Sequence, residues 1–184
     1  MERIAILTGG DSAEHDISLM SANTILENLN SNKYQAVIVY LINGEYRVEN
    51  QKLNIADFSY IKNNTKINFD KIFIALHGSP AENGLIQDYL DTINIPYTSC
   101  NAKVSALTFD KFKCNETLKK LGFKCANSIL LSSEKEFSEE KIIQKLGMPC
   151  FVKPNESGSS YGVSKITKKH NLLKSIKNAF LYDK

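Results

Sequence analysis

Nothing in this sequence approaches the ~20 consecutive apolar residues that a membrane-spanning helix needs. Its longer apolar stretches, such as Ala36–Ile42, stop far short of that. The first twenty residues hold Glu2, Asp11, Glu14 and Asp16 and lack the basic-then-apolar layout of a secretory leader. A cytoplasmic protein without a membrane partner is therefore expected. Cysteine is scarce. The four thiols, at 100, 114, 125 and 150, form no C-x-x-C pair and have no histidine cluster beside them. That argues against a metal centre or a redox motif and predicts buried or half-buried thiols in a reducing compartment. Arginine is nearly missing: of 23 basic residues, only Arg3 and Arg47 are not lysine. Base readout favours the bidentate guanidinium, so with a net charge of only +3 a nucleic-acid partner is not expected. Four prolines among 184 residues, with 42% apolar content, exclude a disordered or collagen-like chain.

A chain of this length makes one large domain or two small ones. Charge divides it unevenly. Residues 1–100 carry 7 basic and 12 acidic side chains, and residues 101–184 carry 16 and 8. A basic second half suits an anionic ligand. In the first half, Arg3–Thr8 reads as a buried strand opening into Gly9-Gly10. A helix follows over about 17–30, with Ala22, Ile25, Leu26 and Leu29 at helical spacing. Gln35–Ile42 is a second strand, turning at Asn43-Gly44 into a return over Tyr46–Val48. Residues 50–68 offer no clear element. Lys71–Leu76 is a third buried strand, and a helix over about 84–93 places Leu85, Ile86, Tyr89, Leu90 and Ile93 on one face. Pro96–Thr98 reads as a short strand. This alternation predicts an α/β fold with a parallel sheet covered by helices, whose ligands sit at the carboxyl ends of the strands.

A second unit begins near Ser99. It is helical over 101–121 with a break near Asp110, and Gly122 serves as the helix stop. A strand at Ser128–Leu131, a helix over Glu139–Leu146 and a strand over Cys150–Lys153 follow. A loop over Asn155–Gly162, a strand over Val163–Ile166 and a helix over Lys169–Phe180 complete it.

Three segments carry chemistry. In FVKPNESGSSYG (151–162) a strand delivers Lys153 into a loop of small residues, Gly158, Ser159, Ser160 and Gly162. Glycines let backbone N–H groups crowd a phosphate, and the lysine adds charge. A plain hairpin turn is the bland alternative. The segment is not a Walker A loop, because no G-K-[ST] triplet is present. It does spell G-x-S-x-G around Ser160. A strand follows that serine, however, and His170 and Asp183 come in the wrong order for a hydrolase triad. In TGGDSAEHDIS (8–18), Ser12, Glu14 and Asp16 all suit a helix N-terminus. Capping is preferred for Asp16, whereas Glu14 lies in the turn at a strand's end, placed to meet a cationic group. In HGSPAENG (77–84), His77 closes a buried strand, and a sheet-edge hydrogen bond is the alternative to a binding role. His15 and His170 are expected on the surface, and nothing local distinguishes Lys111.

Taken together, GGDSAEHDIS (9–18), ALHGSPAENGLIQ (75–87), NIPYTSCNAKVSALTFDK (94–111) and LGMPCFVKPNESGSSYGVSKI (146–166) resemble the D-alanine–D-alanine ligase family, of ATP-grasp type. The resemblance implies an N-terminal Rossmann-like substrate domain over 1–99 and a partial central ATP-grasp α+β subdomain over 100–184. It implies an ATP-dependent ligase that phosphorylates the carboxylate of one D-alanine and lets the amine of a second displace the phosphate, in the service of peptidoglycan synthesis. Glu14 would bind the first ammonium, with Ser159 hydrogen-bonding Glu14. His77 and Glu82 would lie beside the first D-alanine. Lys111, Lys153, Gly158, Ser159 and Ser160 would serve the ATP phosphates, with loop closure excluding water. Ser79-Pro80-Ala81 departs from a glycine-rich run common in the family. The resemblance also implies a homodimer through the first domain, and Mg2+ held by residues beyond Lys184, so that none in this chain is a metal ligand. The 184-residue polypeptide alone is accordingly expected not to turn over. The alternatives are another ATP-grasp carboxylate–amine ligase, such as one joining D-alanine to D-lactate, and a non-catalytic nucleotide-binding module.

Overall fold

The computed structural model describes residues 1–133 and 137–183; residues 134–136 and 184, in the expected second domain, lie outside the described residues. The chain divides into two compact units, Met1–Ala106 and Leu107–Lys184. The division falls inside a helix seven residues beyond the boundary expected at 99.

The first unit is built on β1 (Glu2–Gly9), β2 (Tyr34–Ile42), β3 (Glu45–Val48), β4 (Gln51–Lys52) and β7 (Lys71–Ile74), in the sheet order β4-β3-β2-β1-β7. β1 pairs in parallel with both β2 and β7, so it is the central one of three parallel strands. β3 and β4 extend the sheet as antiparallel strands beyond β2. β1 is buried on both faces, which is why its sequence is a continuous apolar run. Ile4 and Ile6 face one core with Ala22 and Ile25 of α1 (His15–Asn28) and with Leu29 at its C-cap. Ala5 and Leu7 face the other, with Val39, Phe58, Leu90 and Ile86. Each fully buried side chain of this size contributes about 1.5–3 kcal/mol. The inward face of α1 is narrower than its apolar spacing predicts, because Leu26 is half exposed. In α2 (Leu85–Thr92), Leu85 likewise points to solvent while Ile86 and Leu90 are buried.

The stretch over 50–68 contains β4 and a separate antiparallel hairpin, β5 (Tyr60–Lys62) and β6 (Thr65–Ile67). Pro96–Thr98 is reduced to a single parallel bridge from Tyr97 to Ile72.

The second unit begins within α3 (Ala102–Phe109). It continues through α4 (Lys111–Lys120), α5 (Glu139–Leu146), β8 (Cys150–Val152), β9 (Ser164–Ile166) and α6 (Leu172–Ala179), the last preceded by a 3-10 turn over Lys169–Asn171. Ile142, Cys150, Ile166, Leu172 and Ile176 form its core. Ser128–Leu131 is not a strand. Ile129 and Leu131 pack onto that core from a segment that pairs with no strand among the described residues. Among the thiols, Cys100 is exposed rather than half-buried, with its sulfur 3.2 Å from Ser105 Oγ.

Candidate functional site

In the first unit the parallel strands β1 and β7 end side by side and release two loops, 10–14 and 77–82. Serines tie these loops together. Ser12 Oγ donates to His77 O at 3.3 Å and accepts from Glu14 N at 3.2 Å. Ser18 Oγ donates to Glu14 O at 3.0 Å and accepts from His77 N at 2.9 Å. Gln87, buried beneath the second loop, donates to Ala81 O at 2.6 Å. Ser12 and Ser18 thus join the two loops, and Gln87 anchors the second to α2.

Glu14 occupies the N-cap position of α1 without capping it through its side chain, and it is only 4% exposed. The positive end of the helix favours its negative charge. Its carboxylate lies against Gly78: a Cβ on Gly78 would sit 2.9 Å from Glu14 Oε2 and 2.9 Å from Ser12 Oγ. Gly78 also holds φ +76°, which glycine adopts without strain. The His77 ring meets Ser21 Oγ at 2.9 Å through Nε2, and its Nδ1 is 4.0 Å from Glu82 Oε1. The His77–Glu82 pair is about 40% exposed on both sides, so water weakens it. Glu14, His77 and Glu82 are thus brought together within this unit. A shielded carboxylate against the loop that carries an imidazole and a second carboxylate is suited to a small cationic group such as an ammonium. Asp16 lies in the first turn of α1 and is not its N-cap, a position that Glu14 occupies. His15 is not a surface residue: it is half-buried, with Nδ1 2.7 Å from Gly10 O. His170 is exposed.

In the second unit β8 leads through Lys153 into the 155–162 loop. Ser159 and Ser160 both have left-handed backbones, φ 44° and 61°, and both are exposed. Tyr161 N donates to Gly158 O and Val163 N to Ser160 O, each at 3.2 Å, which coils the loop tightly. The segment after Ser160 is β9, not the helix a serine-hydrolase elbow requires. Lys153 is exposed, and its ammonium lies 5.6 Å from the Phe151 ring centroid, a cation–π distance. Lys111 proves distinctive. Its Nζ donates to Asn155 O at 3.1 Å and Ser157 O at 2.6 Å, which places its charge at the root of the loop.

Sequence reasoning missed two residues here, Asp110 and Asn155. The Asp110 side chain caps α4 by accepting from Lys113 N at 2.9 Å. Burial pushes its carboxyl up, but the Lys113 backbone N–H, the Lys113 ammonium and the Asn155 amide outweigh burial and hold it below the usual carboxylate range. An Asp at a helix break was a legible cap signal. The partnership with Asn155, 45 residues away, had no local signal. Among the described residues, no three His, Cys, Asp or Glu side chains cluster in a way that would hold a metal ion, and no helix is long and apolar enough to cross a membrane.

A parallel strand pair with an acidic loop beyond its carboxyl end, and a coiled serine–glycine loop with lysine at its root, place the chain among α/β proteins with charged loops at strand ends. Comparison with known proteins makes the class specific. The family described as D-ala D-ala ligase N-terminus matches residues 3–100, and that described as D-ala D-ala ligase C-terminus matches residues 117–184. The chain belongs to the D-alanine–D-alanine ligase family. It is 41% identical over 182 residues to a D-alanine–D-alanine ligase of Phocaeicola vulgatus, a match covering 96% of this chain and 56% of that protein. It superposes on D-alanyl-alanine synthetase A of Vibrio cholerae with TM-score 0.85 and 28% identity, covering 99% of this chain and 56% of the other. With the Bacillus anthracis D-alanine–D-alanine ligase complexed with ATP, the TM-score is 0.77 and the identity 29%, covering 100% and 56%. The chain therefore spans a little over half the length of the relatives it matches.

Proposed function

We propose that this protein joins two D-alanines in a reaction driven by ATP. A carboxylate oxygen of the first D-alanine attacks the γ-phosphorus, the bond to ADP breaks, and an acyl phosphate forms. The amine of the second D-alanine, having lost a proton, attacks the acyl carbon and phosphate departs. The protein contributes positioning and charge neutralisation. Glu14 is assigned to the ammonium of the first D-alanine, with His77 and Glu82 flanking that substrate. Lys111, Lys153, Gly158, Ser159 and Ser160 are assigned to the ATP phosphates, Ser159 serving the amino-acid substrate as well. Tight coiling of the 158–162 segment and the lysine at its root support the phosphate assignment. Mg2+ is proposed to accompany ATP, and no residue of this chain is assigned to it. A cytoplasmic location, a homodimer and a role in peptidoglycan synthesis complete the proposal.

The observation that carries the reading is Glu14: a carboxylate 4% exposed, at a helix N-terminus, beyond the end of the central parallel strand. Glu14→Gln in the full-length protein is expected to reduce D-alanine-dependent ADP release at least tenfold and to leave ATP affinity intact. The loss of one charge-assisted contact costs about 1.5–3 kcal/mol. Unchanged turnover, or a matching loss of ATP affinity, would overturn the assignment. Product analysis with D-alanine against D-lactate distinguishes the second substrate.

A further inference from the structure

We propose that Asn155 and Asp110 are positioning residues for the nucleotide: together they lock the start of α4, and with it the Lys111 ammonium, onto the root of the 155–162 loop. The proposal rests on the reading of that loop as a phosphate site. A helix leaves its first N–H groups without intrahelical partners. In α4 two residues take the first three. Asn155 O accepts from Lys111 N at 3.3 Å, Asn155 Oδ1 from Phe112 N at 2.9 Å, and Asp110 Oδ1 from Lys113 N at 2.9 Å. Asn155 Nδ2 then donates to Asp110 Oδ1 at 2.9 Å and closes the ring. Asn155 O accepts again from Lys111 Nζ, which also reaches Ser157 O.

Two consequences follow for an anion. This helix N-terminus has its leading donors occupied, so it does not itself cradle phosphate. The positive charge held at the loop root is the Lys111 ammonium, and its direction is set by loop carbonyls whose position Asn155 fixes. Asp110 is 4% exposed, which gives the ring a rigid base. Asparagine is well matched to position 155. Alanine removes both side-chain bonds, and aspartate would face the Asp110 carboxylate where Nδ2 now donates. Lys113 Nζ touches Asp110 Oδ2 at 2.9 Å from a side chain 74% exposed, so it lies outside the ring.

The test is steady-state kinetics of the full-length protein. Asn155→Ala is expected to raise KM for ATP about tenfold, equivalent to about 1.4 kcal/mol. KM for D-alanine and kcat at saturating ATP should each change less than twofold. Lys113→Met should leave KM for ATP within twofold of wild type. An unchanged KM for ATP in Asn155→Ala, or parallel losses in all three constants, overturns the proposal. A second readout is amide hydrogen exchange of the full-length protein. In Asn155→Ala the Glu156, Tyr161 and Val163 amides should exchange at least tenfold faster, with β1 amides unchanged; equal rates overturn the proposal. If the wild type shows no D-alanine-dependent ADP release, the ligase reading has failed, and hydrogen exchange alone decides whether Asn155 holds the loop. Should Asn155→Ala not fold, Asn155→Gln displaces the amide by one methylene and is read in the same way.

Discussion

Replacing Gly78 with alanine is expected to separate amino-acid binding from nucleotide binding, and its size follows from two terms. The first is backbone strain: a residue with a Cβ at φ +76° costs about 1–2 kcal/mol. For a chain of this size that lowers the melting temperature by about 2–8 °C. The second is displacement. The new carbon would lie 2.9 Å from Glu14 Oε2, well inside the ~3.5 Å at which non-bonded atoms sit comfortably, so the carboxylate retreats by about half an ångström. Misplacement of a reacting group by 1 Å can cost about 100-fold, so about tenfold in kcat/KM for D-alanine is expected here. Gly122→Ala provides the control. Gly122 has φ +88° and nothing within 4 Å of a built Cβ, so it carries the strain term without the displacement. Both variants should melt earlier by similar amounts, and only Gly78→Ala should lose kcat/KM for D-alanine, with ATP affinity unchanged in each. Thermal melts and kinetics of the full-length protein measure both terms. Equal kinetic losses in the two variants, or none in Gly78→Ala, would refute the reasoning.

Two further outcomes are expected. Ile6→Ala empties a fully buried site on the central strand and should destabilise the protein by about 2–5 kcal/mol in urea unfolding; a loss under 1 kcal/mol would mean that the sheet collapses around the void. Asp110 is held below the usual carboxylate range, so its stabilising contribution is complete above about pH 4, the unfolded value, and disappears as pH falls through the lower folded value. The urea midpoints of wild type and Asp110→Asn should therefore converge below about pH 4; a constant gap across pH 2–7 would contradict this.

How much of this was legible depended on whether the deciding contact was local. β1 and β2 were readable because burial on both faces demands an unbroken apolar run. α5 was readable because Ile142, Ile143 and Leu146 recur on one face and Gly147 with Pro149 ends it. The β5–β6 hairpin carried a signal that went unread: Asn63 and Asn64, at φ 49° and 58°, form a two-residue turn with both backbones left-handed, and asparagine favours that turn. Ser128–Leu131 shows the opposite case. Its apolar pattern suits a strand, but a strand exists only when a neighbour supplies the ladder. Leu26 and Leu85 show that helical spacing marks a face without marking its edge. At the candidate site, the residue types of Glu14 and His77 and their positions at strand ends were visible. The serines that hold them were not, because Ser18 bonds a backbone 59 residues away.

The sequence by itself determined the α/β character, the presence of a parallel sheet and the family, since each is written in short apolar runs and in motifs contiguous along the chain; the spatial order of the strands came from the fold. Only the tertiary structure decided which side chains act together. It set the Glu14 carboxylate against Gly78, and it joined Asp110 and Lys111 to Asn155 across more than forty residues. Hydrophobic burial is set by composition and period, which any sequence displays. A hydrogen bond between distant residues depends on where two loops arrive in space, and that is fixed only when the strands that carry them have paired.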